Sequence, residues 1–197
     1  MACYICNMSA TEPKERIILG IDPGTNIMGF GVLLVKEKKM SLLEMGVFRL
    51  EKLETQADKL KKILEETLKV IDKHHPDEMA IEAPFFGKNI QSMLKLGRAQ
   101  GVAYAAALHR NIPVIEYSPS KIKQSITGKG SASKEQVYAM LHSLLRIEEK
   151  PAFLDATDAL AVAVCHYFQR GTSSNSSSKN YSGWASFVKQ NPGRKKA

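Results

Sequence analysis

Cysteine is scarce in this chain, with 3 residues among 197. Cys3, Cys6 and Cys165 do not make a disulfide framework, and Cys3-x-x-Cys6 is half a zinc site with no second pair of ligands nearby. Long hydrophobic runs are missing as well. No stretch approaches the ~20 apolar residues of a membrane span. The first residues lack the basic and apolar regions of a secretory signal. Together these absences predict a cytoplasmic, reducing location. There is no internal repeat.

Acid is missing locally. Residues 171–197 hold five basic side chains and no acid, which accounts for +5 of the net charge of +8. Residues 83–134 hold a single acid, Glu116, against Lys88, Lys95, Arg98, Arg110, Lys121, Lys123, Lys129 and Lys134, a local +7. Such separation of charge points to a polyanionic partner, with nucleic acid the leading candidate.

The length favours one domain with a real core. Residues 1–14 read as a disordered leader, 15–170 as the folded domain and 171–197 as a flexible basic tail, opened by the low-complexity stretch GTSSNSSSKN. RIILGID (16–22), GFGVLLV (29–35) and SLLEMGVFRL (41–50) predict three consecutive strands, an antiparallel meander. From Ala57 the apolar residues recur at helical spacing up to the break at Pro76. EMAIEA (78–83) predicts a strand, 88–110 a helix and NIPVIEY (111–117) the next strand. Ser118 and Pro119 cap a short helix to about Ser125, Ser133 begins one to about Leu145, and a last helix covers 152–169. The order β-β-β-α-β-α-β-α-α, with the short helix after Ser118 left uncounted, implies an α/β fold, a mixed sheet with helices on its faces.

Four carboxylates interrupt the apolar runs: Asp22, Glu82, Asp155 and Asp158. An ionised carboxylate among apolar neighbours is costly unless it is paired or binds a metal. Asp22 and Glu82 each end a predicted strand, where ligand sites of α/β sheets gather. Asp155 and Asp158 are three apart and share a helix face. Ala156, Ala159, Ala161 and Ala163 make that helix slim enough to lie close to the sheet. Oxygen donors without matched His or Cys favour Mg2+ or Mn2+ over Zn2+. Two such ions roughly 4 Å apart can activate water and stabilise the leaving oxygen of a phosphodiester, which would couple the acids to the basic segment. Each acid also has a plain structural reading: a turn former at Asp22, a helix cap at Asp155, a buried ion pair at Glu82.

GIDPGT, IEAPFFGKN, SPSKIKQSITGKGSASKEQV and DATDALAVAVCH, in this order and spacing, resemble the motifs of the RuvC family of Holliday junction resolvases. The resemblance covers about residues 16–170. It implies an RNase H-like mixed five-stranded sheet, a homodimer and Mg2+-dependent nicking of four-way junction DNA, one cut by each protomer, with two ions per subunit and Mn2+ able to substitute. It also implies coupling to the RuvA–RuvB branch-migration complex. By the same resemblance Asp22, Glu82, Asp155 and Asp158 are the catalytic, metal-binding acids. Phe85 matches an aromatic wedge at the junction centre; an aromatic there can stack on an unpaired base, although its neighbour Phe86 competes for the role. Lys123 and Lys134 match basic residues near the active site, and Lys88 and Lys121 join them as DNA contacts. The small-faced helix with Gly97 and Gly101 is the expected dimer surface. His166 reads as a packed histidine and Cys165 as core. A non-catalytic junction-binding protein is the alternative. Asp-x-Gly-Thr also occurs in phosphate loops of sugar-kinase and actin-like ATPases, folds that need two such domains.

Overall fold

The computed structural model describes residues 15–84, 89–147 and 154–173; of 171–173 it describes the backbone alone. The expected leader, most of the tail and the positions of Phe85, Phe86 and Lys88 lie outside the described residues.

Strands β1 (Glu15–Asp22), β2 (Ile27–Lys36) and β3 (Lys39–Arg49) form the expected antiparallel meander. β4 (Glu78–Glu82) and β5 (Val114–Tyr117) then add parallel to β1, giving one mixed sheet in the order β3-β2-β1-β4-β5. Helices α1 (Gln56–His74) and α2 (Ile90–His109) provide the connections to β4 and β5. The chain then closes with α3 (Pro119–Thr127), α4 (Lys134–Leu145) and α5 (Leu154–Ser173). The short segment after Ser118 is thus a full helix of its own.

Helix starts follow side-chain chemistry. The Thr55 hydroxyl accepts from the Asp58 amide and caps α1. Ser118 caps α3 with Pro119 in its first turn, and Gly128 closes it at φ 77°, a left-handed value that favours glycine. Ser133 and Gln136 satisfy each other's backbone amides at the start of α4, a reciprocal capping box.

Strand alternation divides the core in two. Leu19, Ile21, Met28, Phe30 and Val32 point to the face covered by α1 and α2. Ile18, Leu33, Val35 and Ala80 point to the opposite face, covered by α3, α4 and α5. Side chains two apart on a strand share a face. Asp22 therefore lies on the α5 face with Ile18, and Glu82 lies there with Ala80.

Three glycines set how close α5 comes. A Cβ on Gly20 would sit 2.2 Å from the Ala159 carbonyl oxygen, one on Gly29 2.0 Å from that of Asp155, and one on Gly31 2.8 Å from the Leu160 Cα. Gly20 pairs with Gly31 and Gly29 with Asp22 across β1 and β2. The alanine-rich helix thus rests almost backbone to backbone on a glycine strip.

Candidate metal centre

Parallel pairing of β1 and β4 ends with Ile21 opposite Ile81, so Asp22 and Glu82 follow side by side at the same sheet end. The first turns of α5 bring Asp155 and Asp158 over this end. Carboxylate oxygens of Asp22, Asp155 and Asp158 all lie within 4.8 Å of one another, a spacing able to hold a metal ion. Glu82 lies outside that triplet but lines the same cleft of about 180 Å³ with Asp22, Asp158, Lys123 and Lys134. Pro119, Ile122, Val137 and Ala161 make its apolar wall.

The electrostatics match a site built for cations. Burial, then repulsion from Glu82 and Asp158, pushes Asp22 up to about 8. Burial, then repulsion from Asp158, pushes Glu82 up to about 7. Lys134 works against both shifts, and Lys123 works against that of Glu82. Crowded acids hold protons when no cation is near and release them to one. The Lys134 ammonium donates to the Asp158 carboxylate. Its burial opposes the charged form, but this bond and the attraction of Asp158, Asp22 and Asp155 prevail and raise its value.

The structure therefore gathers all four acids and both Lys123 and Lys134. Lys121 is exposed on α3 and does not line the cleft; its carbonyl accepts a weak contact from the Cys165 thiol at 3.9 Å. His166 does not reach the acids. It is 2% exposed at the far end of the same sheet face, where Nδ1 accepts from the Tyr117 hydroxyl (2.8 Å) and Nε2 donates to Glu78 (2.7 Å). Burial, then the charge of Arg16, lowers it to about 4, so it stays neutral. Sequence reading did not single out Glu78, nor Gly20, Gly29 and Gly31. The available signal was glycine at alternate strand positions facing an alanine-rich helix.

The family described as crossover junction endodeoxyribonuclease RuvC matches residues 18–166. This chain belongs to the RuvC family. It is 61% identical to the RuvC of Christiangramia forsetii over 179 residues, 91% of this chain and 92% of that one. It is 55% identical to the RuvC of Cytophaga hutchinsonii over 190 residues, 96% of this chain and 93% of that one. Among solved structures, T. thermophilus RuvC in complex with a Holliday junction substrate is 33% identical, with a TM-score of 0.75, covering 80% of this chain and 96% of that chain. The mixed five-stranded sheet is thus the RNase H-like fold of RuvC, and the chain is a nuclease.

RuvC-family nucleases use divalent metals, and the cluster fits one: all its donors are hard carboxylate oxygens, and three reach a common point. Lys134→Ala tests the balance of charge. We expect cleavage to fall by roughly 10²-fold, as when a group that stabilises developing charge is removed. The pH required for metal binding should rise, because Lys134 lowers both Asp22 and Glu82. Calorimetric titration of Mn2+ across pH checks this; an unchanged pH profile would remove Lys134 from the site.

Proposed function

We propose that this chain resolves four-way DNA junctions by hydrolysing one phosphodiester per protomer, in two symmetric nicks, with two Mg2+ ions per subunit and Mn2+ as a substitute. The observation that carries this reading is the convergence of Asp22, Asp155 and Asp158, with Asp22 and Asp158 lining a cleft shared with Glu82 and two lysines. When bound, the ions activate the attacking water and stabilise the leaving oxygen. Asp22, Glu82, Asp155 and Asp158 are the holding groups. Asp22 and Glu82 give up protons on loading, so affinity climbs as pH rises toward 8. Lys123 and Lys134 hold the phosphate from the cleft wall. Lys121 and Lys88 contact the backbone further out, and Phe85 stacks on an unpaired base at the junction centre.

The homodimer reading has support on α2. Ile90 (72% exposed), Leu94 (55%) and Leu108 (55%) follow one another at near-helical spacing. A Cβ on Gly97 or Gly101, between them, would meet nothing within 4 Å. An exposed apolar stripe with small residues at its centre suits a symmetric, close-packed partner copy. Leu94→Arg is expected to yield a monomer by light scattering that no longer makes paired nicks; a dimer of unchanged mass would sink this interface. Work in the cytoplasm beside the RuvA–RuvB branch-migration complex belongs to the same reading. Among the described residues no helix is long and apolar enough to cross a membrane.

Nicking of mobile and fixed four-way junctions, with cut sites mapped on both strand pairs, tests the function. Wild type that binds junctions but never nicks them with Mg2+ or Mn2+ would instead be a non-catalytic junction-binding protein.

A further inference from the structure

A second groove lies away from the metal centre. It encloses about 870 Å³ between the start of β3 and the end of α4, well above the 180 Å³ of the catalytic cleft. Met40, Leu42 and Met45 form one wall, Leu144, Leu145 and Ile147 the other, with Lys39 and Arg146 at the rim. Leu144 is 40% exposed and Met140, one turn before it on α4, 42%. A groove of this size is in the range that binding sites occupy, roughly 300–1,000 Å³. It also lies beside β3, the sheet's edge strand, whose unpaired side a folded protein ordinarily covers.

The chain's own C-terminal segment is within reach. Near its end α5 runs along this region: the Tyr167 hydroxyl donates to the Lys38 carbonyl at 2.9 Å, and Tyr167 and Phe168, like Met40, Leu42 and Met45, are partly buried against the same core cluster. Ser173 follows Tyr167 by six residues, about 9 Å of helix. Residues 174–180 (SNSSSKN) hold no apolar side chain and, fully extended, span about 23 Å. Next comes YSGWASFV (181–188), without a charge, between Lys179 and Lys189. Tyr181, Trp184, Ala185 and Val188 fall at i, i+3, i+4 and i+7, one apolar helical face. Such a face of one or two turns is marginal alone and gains stability by burial.

We propose that residues 181–188 dock in cis into the groove between β3 and α4, tethered by 174–180. The tail is then a cover for the β3 edge and the last turn of α4, and its basic end, Arg194 to Lys196, is held at a defined place on the enzyme. The charged rim does not oppose this, since the docking segment is neutral.

Trp184 is the only tryptophan in the chain, so its fluorescence reports the docking directly. In the full-length protein we expect blue-shifted emission protected from acrylamide. Leu144→Glu places a charge in the groove wall and should shift the emission to that of indole in water, with a several-fold rise in quenching. Because Leu144 is already part-exposed and α4 separates it from Lys134 by about 15 Å, circular dichroism and junction nicking should hold steady. Cutting the chain after Ser173 should speed amide exchange at Leu42–Met45. Emission typical of exposed indole in wild type, or shielding that survives Leu144→Glu, overturns the proposal. Shielding that returns when full-length Leu144→Glu is co-expressed with tail-less wild type places the segment on another copy and overturns docking in cis.

Discussion

Asp22→Asn is expected to abolish junction nicking while making the metal-free protein more stable at neutral and alkaline pH. Loss of one of the proposed metal ligands, at the point where the other acids converge, should cost at least about 10³-fold in rate, since charge stabilisation at the reacting phosphate is removed. The stability gain follows from the same burial. Asp22 has an ordinary value of 3.8 and stands at about 8 in the fold. The folded state therefore holds the proton more tightly than the unfolded chain does. Its contribution to stability is fully present below the unfolded value and is lost as pH rises from about 4 to about 8, at up to about 1.4 kcal/mol per unit. At pH 8 the accumulated difference is on the order of a few kcal/mol. Asparagine keeps the shape and carries no charge, so it escapes this loss. Thermal melts of both proteins at pH 5 and pH 8, with EDTA and with Mg2+, check the point. The variant should gain at pH 8 in EDTA, and Mg2+ should narrow the gap by stabilising wild type alone. A variant that nicks normally removes Asp22 from catalysis; one that is no more stable at pH 8 without metal removes the buried-charge account.

Gly29→Ala should inactivate the enzyme with every acid in place. Its Cβ would lie 2.0 Å from the Asp155 carbonyl oxygen and 2.7 Å from the Asp155 carbonyl carbon. These are backbone atoms, and backbone cannot swing aside as a flexible side-chain end can. The start of α5 must retreat by about an ångström or more, carrying Asp155 and Asp158 away from Asp22 and Glu82. Misplacement on that scale costs roughly 10²-fold in rate. Overpacking at the contact should cost a further 1–3 kcal/mol, roughly, in stability. Nicking rate against Mn2+ concentration separates the two effects. A displaced site needs more metal and has a lower maximum rate even where circular dichroism shows a folded protein. Wild-type nicking at wild-type metal concentration would mean that α5 does not depend on the glycine strip.

The same contact explains how much of this protein was legible before folding. The meander, the helical spacing after Ala57 and the helix starts at Ser118 and Ser133 are local patterns, and the structure reproduces them. The acids stood out because charge in an apolar run is conspicuous. Strand β5 is shorter than expected: it starts at Val114, since Pro113 lacks an amide donor and Asn111 has a left-handed φ of 58°. The partner of Lys134 was not legible. Lys134 and Asp158 are 24 residues apart on different helices, and only the docking of α4 against α5 joins them. The network around His166 is similar, with Glu78 lying 88 residues away in sequence.

By itself, then, the sequence marked the acids that stand out from their apolar runs and set the order of the elements that carry them. Alternation, helical spacing and capping act over a few residues, and each leaves a mark that can be read along the chain. The tertiary structure decided the rest: that α5 lies on glycines, that three acids come within 4.8 Å, and that Asp22 and Glu82 hold their protons near neutrality. Those are distances and burials between segments remote in sequence. They are set by strand register and by the depth to which a helix settles, and no local pattern encodes either.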